Sequence, residues 1–201
     1  MSGMMNVIPS SDLALSLLLS LGALFFVLVP FSRGLRVGLQ ALGATRGLGP
    51  SEIAQGLKRS PGERSEPVAL QMLRVLRKAL SEVGSDAHPE EFLIDASRQY
   101  VSHDYESHYA RPLSMYANIL PPIGFIGTTF GLMILFLSMR VANDSLELGA
   151  LAMALSSSLF ALVGFALLEG LKIRLYRRLL VGLDDAIRFH RNVPRRESKV
   201  A

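Results

Sequence analysis

Three stretches of this chain contain no acid, base or histidine, and their lengths restrict the fold more than any other feature. Leu13–Ser32 spans 20 residues, Pro112–Met139 spans 28 and Leu148–Leu168 spans 21. A helix rises about 1.5 Å per residue, so about 20 apolar residues cross the hydrocarbon core of a bilayer. The reading is an all-α integral membrane protein: three transmembrane helices with long cytoplasmic helical extensions. The first run is read as a retained span. No basic residue precedes it, and no small-residue cleavage pattern follows Val29-Pro30-Phe31.

Arginine and lysine are held on the cytoplasmic side during insertion, so their placement orients the spans. None precedes Leu13, whereas Arg33 and Arg36 follow the first span directly. The turn Arg140–Glu147 sets one arginine against Asp144 and Glu147, and nine basic residues follow Leu168. These counts predict a periplasmic tail over 1–12, spans over 13–32, 112–139 and 148–168, and a periplasmic turn over 140–147. Residues 33–111 and the basic tail 169–201 then lie in the cytoplasm. Cysteine is absent, which removes disulfides, thiol nucleophiles and thiolate metal sites.

The region 33–111 has 11 basic and 10 acidic residues and is too long for a connector. Gly47–Glu66 reads as a loop with one short helix, and Pro67–Val83 as an amphipathic helix ended by Gly84. Pro89 suits a first helical position, with Glu90 and Glu91 at the positive end of the helix dipole. From there a long helix is predicted to run into the second span, bending at Pro112 and Pro121-Pro122. Asp144 and Glu147 form a capping-box pattern at the start of the third span. Beyond that span Leu171, Leu175, Leu179, Leu183 and Ile187 keep the helical period, predicting a basic amphipathic extension.

Ion pathways through membranes ordinarily need an ionisable group, and these spans lack one. They hold hydroxyls instead. Thr128 and Thr129, two of the chain's three threonines, fall near the centre of the second span, and Ser156, Ser157 and Ser158 near the centre of the third. The two spans are antiparallel, so both sets lie at one depth. Gly124, Gly127 and Gly131 accompany the first set, and Ala154, Ala161 and Gly164 the second. Small residues at such spacing let helices approach closely, which fits either packing alone or a polar-lined cavity in an oligomer.

The segment ANILPPIGFIGTTFGLM, Ala117–Met133, resembles the second span of the MotA/TolQ/ExbB proton-channel family in its GxxGT pattern at Gly124, Gly127 and Thr128, followed by Gly131. Gly149–Phe165 is similar to the family's AL-x-x-T-x-x-G segment, with Ser158 at the threonine and Ala161 at the glycine. The three-span topology looks closest to the ExbB/TolQ branch. Met153 stands where that branch usually carries glutamate, and its proline near the cytoplasmic end of the third span is missing.

The resemblance implies a homopentamer in the bacterial inner membrane around a single-span ExbD/TolR-like partner whose intramembrane aspartate carries the proton. It implies ion-pathway roles for Thr128 and Ser158, with Thr129 and Ser157 beside them, in a motor that turns an ion gradient into mechanical work. The other reading is a non-conducting scaffold whose Ser, Thr and Gly residues serve packing only. No catalytic residue, cofactor, metal or nucleic-acid partner is expected. His103 and His108, five apart, fall on different faces of a regular helix, so a shared metal ion would need an irregular backbone. The arginines after the third span fit attraction to anionic lipid.

Overall fold

The computed structural model describes residues 9–58, 66–83, 89–140 and 144–197, and every element in them is helical. The expected tail before Pro9, the Gly84 stop and residues 141–143 of the turn between the last two spans lie outside the described residues. The elements are α1 (Pro9–Ala44), α2 (Pro50–Lys58), α3 (Val68–Val83), α4 (Glu90–Tyr105), a π-helical turn (Glu106–Ala110), α5 (Arg111–Ser138) and α6 (Asp144–Glu197). Among the described residues three helical stretches are long and apolar enough to cross a membrane: Leu24–Ala44, Glu90–Ser138 and Leu146–Asn192.

The chain divides into two compact units, one of residues 1–35 and 114–169 and the other of 36–113 and 170–201. In the first, parts of α1, α5 and α6 pack together through Gly34, which meets Leu168 and Tyr116, and through Gly164, which meets Leu120 and Phe31. Val27, Ala117, Leu120, Ala161 and Leu168 are buried there, while Phe25, Phe26, Phe125, Phe136, Leu148 and Leu162 point outward. Large side chains turned out on all three helices suit lipid or neighbouring membrane helices and would be untenable in water.

The second unit has a water-soluble pattern. α3 buries Val68, Met72, Leu73 and Leu76 while Arg77 and Lys78 face out, and it packs on α2 and α4. Leu175, Leu179, Leu183 and Ala186 form the buried stripe of α6 in this unit. Full burial of one such leucine contributes about 1.5–3 kcal/mol. Glu66 bonds Arg74 at 3.0 Å, and Gln71 donates to Asp104 at 2.8 Å.

One local feature departs from the sequence-based expectations, and another adds to them. Pro89 is the N-cap of α4 and not its first residue: its ψ of 139° is extended, and its carbonyl accepts from Phe92 N–H at 3.0 Å. At Pro112 the irregularity is a π-helical turn placed just before it, where Arg111 N–H donates to the Glu106 carbonyl five residues back. Proline has no N–H to offer His108, and its ring crowds that carbonyl, so a widened turn relieves both problems. Pro121 and Pro122 lie inside α5, which runs through them as one helix.

Candidate ion-pathway site

Within the first unit, α5 and α6 meet at a line of small residues. A Cβ on Gly124 would stand 2.5 Å from the Ala161 methyl and 3.3 Å from the Ser157 carbonyl oxygen. On Gly131 it would lie 2.7 Å from the Ala154 methyl and 2.8 Å from the Ala150 carbonyl oxygen and the Ala154 nitrogen. On Gly127 it would overlap the Ser157 hydroxyl. The backbones therefore touch over two turns, with Gly131 opposite Ala154 and Gly124 opposite Ala161. Gly164 sits off this line, against Leu120 and Phe31.

The close approach brings three hydroxyls around one backbone carbonyl. Ser157, 2% exposed, donates to the Gly124 carbonyl across the interface at 3.0 Å. Thr128 reaches the same carbonyl at 3.0 Å and the Ala154 carbonyl at 3.2 Å, and it hydrogen-bonds the Ser158 hydroxyl. Ser158 lies 3.4 Å from the Gly124 carbonyl. A hydroxyl has one proton to donate and lone pairs to accept with. Thr128 and Ser158 thus share two protons among each other and two carbonyls, so their donor directions can exchange without any backbone movement. Both are half-buried.

The remaining hydroxyls are elsewhere. Thr129, one residue round the helix, is exposed and donates to its own Phe125 carbonyl at 3.0 Å. Ser156 donates to the Met153 carbonyl of its own helix at 3.2 Å. Of the sequence-derived pathway residues, the structure joins Thr128, Ser157 and Ser158 and sets Thr129 apart. Met153, at the glutamate position of the resemblance, is 8% exposed. Sequence reasoning missed the Gly124 carbonyl as the shared acceptor, since a main-chain atom leaves no mark in residue identity. It also missed Gly34, for which the four-residue spacing to Gly38 was an available signal.

The arrangement can accept, donate and orient, but it cannot hold a charge. In the second unit Asp104 receives Gln71, and His108 Nδ1 lies 2.9 Å from the Asp104 carbonyl oxygen and 3.2 Å from its carboxylate. Among the described residues no group of three or more His, Asp or Glu is placed to hold a metal ion.

Long apolar helices joined by a hydroxyl-bearing contact define a polytopic helical membrane protein with a polar, uncharged seam between two of its helices. Over residues 69–167 the chain matches the model of the MotA/TolQ/ExbB proton channel family. The match spans the seam and does not single out one branch. No curated protein and no solved structure matches the chain.

Proposed function

We propose that this protein is the channel-wall subunit of an ion-driven motor of the bacterial inner membrane. Several copies, five by family resemblance, surround a single-span ExbD/TolR-like partner whose intramembrane aspartate carries a proton. Thr128 and Ser158 face that carboxylate and pass or orient the proton. Ser157 stands behind them holding α5 against α6, and Thr129 offers a further hydroxyl on the exposed face of α5. The N-terminus is periplasmic and the C-terminus cytoplasmic, as the asymmetry of basic residues favours.

The observation that carries this reading is the half-buried Thr128–Ser158 pair, whose protons have alternative acceptors, in the two apolar runs 112–139 and 148–168 that hold no ionisable group. A wall of that kind needs its titrating residue from another chain. The scaffold reading draws on a different observation: Ser157 and the three glycines are fully engaged in helix contact.

The test is ion flux in vesicles holding the protein with its membrane partner. Thr128→Ala should lower flux by about tenfold, the order expected from one lost hydrogen bond to a charged group, with the oligomer intact and Thr128→Ser largely active. Full flux in Thr128→Ala would remove the pathway role, and isolation as an oligomer with no single-span partner would favour the scaffold.

A further inference from the structure

Two apolar stripes in the second unit are left uncovered by its own helices. On α4, Phe92 and Tyr100 are 57% and 61% exposed, opposite the buried Leu93, Ile94 and Val101. A shallow surface pocket runs along this face past Ala96, Gln99, Tyr100, His103 and Glu106. On α6, Leu180 and Val181 are 50% and 55% exposed, away from the buried Leu179 and Leu183. Lipid is a poor cover for the α4 stripe, because Asp95 and Glu106 border it and anionic headgroups would repel them. Arg177 and Arg188 border the stripe on α6, and Asp184, between them on the same face, is already paired with Arg98 of its own chain at 3.4 Å. Neither Asp95 nor these two arginines has an ion-pair partner among the described residues.

The heights of the stripes agree. Arg98–Asp184 at 3.4 Å, Glu91–Arg191 at 3.6 Å and Glu90–His190 at 2.9 Å fix the antiparallel register of α4 and α6. That register sets Tyr100 level with Val181, Asp95 within a turn of Arg188, and Glu106 within a turn of Arg177. Copies arranged round an axis along these helices keep every residue at its own height. Each acid-bordered stripe therefore meets a base-bordered stripe at the level where the apolar residues coincide.

We propose that the α4 face of one copy docks on the α6 face of the next, Tyr100 against Leu180 and Val181, with Asp95 and Glu106 opposite Arg188 and Arg177. The contact is heterologous, and between copies held at one height round an axis its repetition closes a ring. It rests on the multi-copy channel reading above and assigns that assembly a contact outside the three spans predicted from the sequence.

The chain has no cysteine, so the full-length protein can be tested by cross-linking in native membranes. Single variants Tyr100→Cys and Val181→Cys, co-expressed and treated with a short bis-maleimide, should give a dimer band. The double variant should give a ladder of higher multiples. Tyr100→Cys with Ile173→Cys, two turns out of register, should give at least tenfold less. Asp95→Arg should weaken the 100/181 dimer severalfold, and Asp95→Arg with Arg188→Asp should restore it. Absence of the dimer, equal yield from the out-of-register pair, or capture of lipid or another protein by a photoreactive group at position 100 would each overturn the proposal. Native mass of the detergent-extracted protein separates the two readings. An oligomer that persists without the 100/181 product refutes only this contact, whereas a monomer refutes the multi-copy reading as well.

Discussion

Replacing Gly131 with alanine tests the α5–α6 contact on which the candidate site depends. The added methyl would stand 2.7 Å from the Ala154 methyl and 2.8 Å from two backbone atoms, the Ala150 oxygen and the Ala154 nitrogen. Backbone in a helix cannot swing aside as a side-chain end can, so the helices must open by about 0.8 Å to restore an ordinary carbon–carbon contact of ~3.5 Å. The Thr128–Ala154 bond starts at 3.2 Å. An opening of that size one turn away takes it past the ~3.5 Å limit. Overpacking of this kind costs about 1–3 kcal/mol, with about 0.6 kcal/mol more for each interhelical hydrogen bond lost in a membrane. Gly131→Ala should therefore destabilise the protein by about 2–4 kcal/mol. Gly164→Ala is the control: its methyl would meet only side-chain ends of Leu120 and Phe31 at 3.2 Å, so its cost should stay below about 1 kcal/mol. Reversible unfolding of the purified protein in mixed micelles measures both. A Gly131→Ala protein as stable as the parent, or less affected than Gly164→Ala, would refute the backbone contact described.

Two further predictions concern the second unit. Tyr105 is 3% exposed, its hydroxyl has no hydrogen-bond partner among the described residues, and burial raises its pKa well above the ordinary tyrosine value, with Tyr176 and Tyr109 adding smaller contributions. Tyr105→Phe removes an unsatisfied buried group and should raise stability by about 1 kcal/mol; a loss of that size in the same unfolding assay would show that the hydroxyl has a partner. The pKa of Glu66 is raised above the ordinary glutamate value of 4.5 because burial outweighs the pull of Arg74, 3.0 Å away. The folded state therefore binds this proton more tightly than the unfolded chain, so its contribution is present below pH 4.5 and lost as pH rises through the raised value. Melting temperatures across that window should fall less with pH in Glu66→Gln than in the parent, and an equal or steeper fall would contradict the assignment.

Much of the helical order was legible in the residues. Apolar period and Gly/Pro punctuation located α2, α3, the start of α6 and its long extension, because these are local preferences. Proline was harder to read. The same missing N–H is met in two ways, since Pro121 and Pro122 lie inside the continuous helix α5 while Pro112 follows a π-helical turn, and which response occurs depends on what packs around the freed carbonyls. The side chain of Asp144 lies outside those described, so its capping role stays with the sequence pattern.

The division is sharpest at the seam itself. Sequence alone determined that the long apolar runs are free of ionisable groups and that hydroxyls cluster near their centres, because charge and hydropathy belong to residue identity. It also carried the GxxGT pattern by which the family resemblance was recognised. Only the tertiary structure decided which hydroxyls meet: Ser157 sealed against Gly127, Thr128 and Ser158 paired, and Thr129 turned outward. Helical period allows several relative rotations of two spans, and one is selected when Gly124, Gly127 and Gly131 fit against Ala161, Ser157 and Ala154, where any Cβ would hold the backbones apart.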